Sequence, residues 1–143
     1  MKVFVDTNVL LYRFDAGSGK KQAIARVELR RLILDRSIVI STQVLQEFFV
    51  VATRKLAPPL GPDRAEAVIG YLSRLPCVQV TPRMVQDAIA LHRRHSLAFW
   101  DALIVRSALE GGADTLYTED LQAGRNIEGL SIVNPFAGKA ARG

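Results

Sequence analysis

Lys2-Val3-Phe4-Val5-Asp6-Thr7-Asn8 sets three apolar, strand-forming residues directly before an acid and two further capping side chains. Val3-Phe4-Val5 reads as a short buried strand with Asp6 at its carboxyl end. Asp6, Thr7 and Asn8 are good helix starters, so a turn or helix is expected from about Val9. Working outward, helical spacing of Ala23, Ile24, Val27, Leu29, Ile33 and Leu34 predicts a helix over 18–35. Ser37-Ile38-Val39-Ile40-Ser41 is too short and too β-branched for a helix and predicts a second strand. A helix over 42–55 comes next, with Val44, Leu45, Phe48, Val51 and Ala52 on one face.

Ala57-Pro58-Pro59-Leu60-Gly61-Pro62 breaks the pattern and reads as a loop between helices, because neither side is long enough to be a domain. Beyond it the spacing predicts a helix over 63–75, a strand at Val78-Gln79-Val80 and a helix from Pro82 to about His95. Ser96 is expected to cap a helix from Leu97 to Glu110 that Gly111-Gly112 ends. Thr115-Leu116-Tyr117-Thr118 and Leu130-Ser131-Ile132-Val133 complete five strands. Strands alternate with helices and no hairpin dipeptide joins two strands. The expectation is therefore an α/β fold, a mostly parallel five-stranded sheet flanked by helices. Residues 1–136 form one domain in this reading, and 137–143 a small, basic, flexible tail.

Composition narrows the partners. The 143 residues carry a net charge of +5, and 14 of the 19 basic residues are arginine, whose planar fork suits phosphate oxygens. Apolar runs are too short to span a membrane. The chain meets Asp6 too soon for a signal peptide, and the single cysteine, Cys77, cannot pair within the chain, so a cytoplasmic protein is expected. Cys77 itself reads as a structural thiol rather than a nucleophile.

Four acids stand out, two at the carboxyl ends of strands, where a sheet of this kind collects its ligands, and two inside apolar helices. Asp6 and Asp120 come after the first and fourth strands. Glu47 and Asp101 interrupt the apolar runs Val44-Leu45-Gln46-Glu47-Phe48-Phe49 and Phe99-Trp100-Asp101-Ala102-Leu103-Ile104. Burying an unpaired carboxylate is costly, whereas carboxylates sharing a pocket suit a hard divalent cation such as Mg2+ or Mn2+. Such an ion lowers the pKa of bound water and neutralises charge developing on a phosphate. Plainer roles exist for each acid. Asp6 and Asp101 can cap helices, Glu47 can point outward or pair with Arg54 or Lys55, and Asp120 and Glu119 can both cap the segment after the fourth strand. His92 and His95 lie among Arg93 and Arg94, which marks a solvated or RNA-facing patch rather than a metal site. Phe99 and Trp100 are read as core, with stacking on a base as the alternative.

These four segments, in this order, resemble the acidic motifs of PIN-domain nucleases, particularly the VapC-type toxins of bacterial toxin–antitoxin pairs. Val3-Phe4-Val5-Asp6-Thr7-Asn8-Val9-Leu10 is similar to the family's opening and Ser41-Thr42-Gln43-Val44-Leu45-Gln46-Glu47-Phe48 to its second motif. Phe99-Trp100-Asp101-Ala102-Leu103-Ile104 and Tyr117-Thr118-Glu119-Asp120-Leu121 resemble the third and fourth. The resemblance implies a three-layer PIN-like fold and an Mg2+- or Mn2+-dependent ribonuclease holding one or two ions. It makes Asp6, Glu47, Asp101 and Asp120 catalytic, with Asp6, Asp101 and Asp120 as metal ligands, and Thr7, Asn8 and Thr118 as supporting groups. Asp120 is preferred to Glu119 because it keeps the family's Thr-x-Asp spacing. RNA as substrate, a cognate antitoxin and a homodimer are implied as partners.

The nearest rival, a PIN nuclease of RNA processing or DNA repair outside any toxin pair, has the same motifs, and compactness favours the toxin. The other classes fare worse on the residues. A dehalogenase-like phosphatase needs a second Asp where Asn8 stands. A response-regulator receiver needs an Asp after Val78-Gln79-Val80, where Thr81 and Pro82 stand instead. A catalytically inactive RNA-binding module is disfavoured because all four acids are present.

Overall fold

The computed structural model describes residues 1–137. The expectation of a tail over 137–143 falls, beyond Ala137, outside the described residues. The core of the sheet is built from β1 (Val3–Val5), β2 (Ile38–Ser41) and β4 (Thr115–Tyr117), with β3 (Cys77–Val78), β5 (Asn126–Ile127) and β6 (Leu130–Val133) outside them. Strand order is β3-β2-β1-β4-β6-β5, parallel throughout except for β5, which runs antiparallel to β6. Val3, Phe4, Val5 and Ile40 are fully buried, as strands covered on both faces require.

The described residues form six α-helices around the sheet: α1 (Thr7–Phe14), α2 (Lys20–Leu34), α3 (Thr42–Ala52), α4 (Pro62–Leu72), α5 (Pro82–His95) and α6 (Phe99–Glu110). Helix α6 lies against β2, β4 and β6 and packs along α5, while α1 packs on α2 and α3. Gly111 closes α6 where there is room for nothing larger. A Cβ there would stand 2.8 Å from Val39 Cγ1 and 2.9 Å from Val78 Cγ2.

Four details differ from the expectations. The sheet has six strands rather than five, because Glu128-Gly129 forms a two-residue hairpin loop between β5 and β6. Both residues have positive φ, 53° and 93°, as a turn matching the strand twist demands. The third strand is shorter and earlier than Val78-Gln79-Val80, since the Val80 N–H donates to Thr42 Oγ1 at 3.2 Å and not to the sheet. Helix α1 starts at Thr7, two residues before the expected point. Helix α6 starts at Phe99, because Ser96 closes α5 in a left-handed conformation instead of capping the next helix. No helix of the described residues is long and apolar enough to cross a membrane.

Candidate active site

Parallel register places the first two groups of the site side by side. Val5 of β1 pairs with Tyr117 of β4, so the residues just beyond them, Asp6 and Thr118, are neighbours at the same edge of the sheet. Asp6 Oδ2 accepts from Thr118 Oγ1 at 2.8 Å, and Asp6 Oδ1 accepts from the Thr7 N–H at 2.7 Å. Asp6 therefore caps α1 and faces the site at once, so the two readings of this acid do not exclude each other.

The packing of α1 on α3 brings in the next acid. Thr7 Oγ1 donates to Glu47 Oε1 at 2.9 Å, and among the described residues Glu47 makes no ion pair with Arg54 or Lys55. Asp120 is held from two sides. Its N–H donates to Thr118 Oγ1 at 3.1 Å, and its Oδ2 accepts from Asn8 Nδ2 at 3.0 Å. Asn8 Oδ1 in turn accepts from the Glu119 N–H at 3.3 Å. Asp101 enters from the first turn of α6 and is half-buried.

Asp6, Glu47, Asp101 and Asp120 thus line one cleft of about 490 Å³, together with Thr7 and Asn8. Glu119 turns away. Its carboxylate is paired with Lys21 and accepts from the Tyr12 hydroxyl at 2.6 Å, and against the opposing effect of burial these two donors hold it below the usual glutamate range. His92 and His95 do not line the cleft. His92 Nδ1 meets the Leu97 carbonyl, and His95 with Arg94 meets Glu128. Cys77 is half-buried on an edge strand, and burial pushes its thiol up, away from nucleophilic use.

The electrostatics of the cleft are those of crowded anions. Asp6, 5 % exposed, is pushed up to about 7, chiefly by burial and further by Asp120 and Glu47, while its bonds from Thr118 and Thr7 act the other way. Asp101 is raised too, first by burial and then by Asp120 and Glu47. Among the described residues no Lys, Arg or His lies within 4.0 Å of any of the four carboxylates.

A family model for the PIN domain matches residues 3–126. The chain belongs to the PIN-domain family. Solved structures with the same fold include a toxin–antitoxin complex from Klebsiella pneumoniae, 22% identical with a TM-score of 0.70, covering 95% of this chain and 98% of that one. DNA-bound VapBC from Salmonella typhimurium is 24% identical with a TM-score of 0.62, covering 92% and 96%. VapC20 of Mycobacterium tuberculosis, described as a sarcin–ricin-loop-cleaving toxin, is 22% identical with a TM-score of 0.62, covering 83% and 90%. No curated protein sequence is a significant match to the chain.

The donor set of this PIN domain suits a hard divalent cation: carboxylates from separate segments, with no cationic side chain among the described residues to neutralise them. As the acids stand, no three acidic, histidine or cysteine side chains among the described residues are gathered closely enough to hold one ion. Repulsion among like charges spreads such a set, and a cation would draw it together.

Among the cleft residues, sequence reasoning passed over Gln43 and read Trp100 as core. Gln43, 4 % exposed on the first turn of α3, donates through Nε2 to the Trp100 carbonyl at 3.4 Å, while its buried Oε1 has no partner among the described residues. Trp100, expected in the core, is 63 % exposed on the cleft rim, whereas Phe99 packs against the core as expected. Helix α6 explains the miss: apolar residues surround it, so spacing alone marks no outward face.

Proposed function

We propose that the chain is a divalent-metal-dependent endoribonuclease and the toxin of a toxin–antitoxin pair. The observation that carries this reading is the convergence of Asp6, Glu47, Asp101 and Asp120 on one cleft without a cationic partner among the described residues. Asp6, Asp101 and Asp120 would hold one or two Mg2+ or Mn2+ ions, with Glu47 assisting. When bound, such an ion supplies an activated water at neutral pH and takes up negative charge on the phosphate under attack.

The chain's own groups do the arranging. Thr118 fixes Asp6 and the backbone of Asp120 with one hydroxyl, and Asn8 fixes the Asp120 carboxylate. Thr7 holds Glu47 facing the cleft, where it can accept a proton from water or substrate. Among the described residues no Ser, Cys, Lys or His lines the cleft, and the proposed reaction is direct hydrolysis without a covalent intermediate. RNA as substrate agrees with the arginine-rich net charge of +5. The neighbours solved as toxin–antitoxin complexes support a cognate antitoxin, which would cover the acidic cleft with a basic side chain. A homodimer in the cytoplasm completes the proposal.

The test is cleavage of purified total RNA with Mg2+ or Mn2+, before and after chelation, for wild type and Asp101→Asn. Cleavage that requires the ion and is lost in the variant is the expected result. Full activity after rigorous chelation would refute the mechanism. Cleavage by a chain that is harmless when overexpressed and has no co-purifying neighbour would leave the nuclease and remove the toxin.

A further inference from the structure

Two unlike sets of side chains line the cleft. The acids are one, and the apolar Leu11, Val50, Val51, Ile104 and Trp100 are the other. A phosphodiester and a hydrated cation call for oxygen donors and account for the first set only. Of the second, Ile104 is buried, whereas Val50 is 49 % exposed and Trp100, the chain's single tryptophan, 63 %. An indole left this open costs hydration free energy unless something covers it in use.

Trp100 is also braced. Phe99 packs edge-on against its ring, with centroids 5.2 Å apart and planes at 71°. Gln43 ties its backbone carbonyl to α3. Its chain neighbour is Asp101, so a nucleotide whose phosphate lies at the acids has an adjoining base within reach of the ring. We propose that Trp100 is the stacking platform for an unpaired nucleobase next to the scissile phosphate, a determinant of where the chain cuts. The inference rests on the RNA-hydrolase reading and adds to it a residue that selects bases free of a duplex stack. Bases inside a helix already stack on their neighbours and cannot cover the ring without being extruded.

Because Trp100 is the sole tryptophan, its intrinsic fluorescence reports on this ring alone. A short single-stranded oligoribonucleotide, and one of equal length with abasic positions, are mixed with the protein in Mg2+, and emission is read before turnover. Kinetics on the intact oligonucleotide are then compared for wild type, Trp100→Phe and Trp100→Ala, with circular dichroism confirming that each is folded. Stacking predicts a change of emission with the intact oligonucleotide and little with the abasic one. It predicts a KM raised about tenfold or more in Trp100→Ala at nearly unchanged kcat, largely restored in Trp100→Phe. An unchanged KM in Trp100→Ala, or equal responses to both oligonucleotides, would overturn the proposal. So would emission that responds to the co-purified antitoxin and not to RNA, which would assign the ring to a protein partner. If no RNA is cleaved with any divalent ion, the hydrolase reading fails, whereas cleavage by wild type with no base-dependent change of emission removes only the role of Trp100.

Discussion

Asp6→Asn should stabilise the ion-free protein, and by more as pH rises. Asp6 is raised from its ordinary 3.8 to about 7. The folded chain therefore binds a proton more tightly than the unfolded chain does, and wild-type stability falls as pH climbs from about 4 through about 7. Above that window both states carry the charge and the loss is complete. The interval, at about 1.4 kcal/mol per pH unit, sets a ceiling of about 4 kcal/mol. Water entry into the cleft will reduce it. Asn keeps the shape, can still accept from the Thr7 N–H, and carries no charge at any pH. Urea unfolding in chelator at about pH 5 and about pH 8 measures the difference. The variant should gain on wild type between the two by roughly 1–3 kcal/mol, and Mn2+ should then stabilise wild type while leaving the variant behind. A variant less stable than wild type by the same amount at both pH values would show that Asp6 is mainly a structural cap, and the crowded-anion account would fail.

Thr118→Val removes the hydroxyl that holds the Asp6 carboxylate down, so that group should rise further. The acidic limb of the pH–activity profile should move up by about one unit, the equivalent of one charge-assisted hydrogen bond; a limb that stays in place would exclude Asp6 from setting it. Gly111→Ala should cost about 1–3 kcal/mol in urea unfolding, because the new methyl meets Val39 and Val78 below 3.0 Å. A neutral result would mean that the end of α6 shifts freely.

Much of the architecture was legible because the central strands are buried on both faces. Val3-Phe4-Val5 and Ile38-Val39-Ile40 are unbroken apolar runs, and such runs identify parallel strands without needing an alternating face. Local chemistry at β5–β6 escaped, since Glu128-Gly129 carries a positive-φ turn with Glu where Asn or Asp usually advertises one. At the site, Asp6 and Asp120 were legible from their places at strand ends and Glu47 and Asp101 as charges within apolar runs, and all four line one cleft. The preference for Asp120 over Glu119 came from the family resemblance alone; the physical difference lies with the distant Lys21 and Tyr12, which engage Glu119 and leave Asp120 to Asn8. Gln43 was invisible as a site group because its partner, the Trp100 carbonyl at the start of α6, is a long-range contact that no spacing along α3 records.

The central claim is that the converging carboxylates form a divalent-cation site. Mn2+ binding measured by electron paramagnetic resonance tests it without reference to any substrate. Wild type should bind Mn2+ saturably, in competition with Mg2+, while Asp6→Asn and Asp120→Asn lose most of that affinity and remain folded. Wild type that binds no Mn2+, or variants that bind it as well as wild type does, would contradict the account.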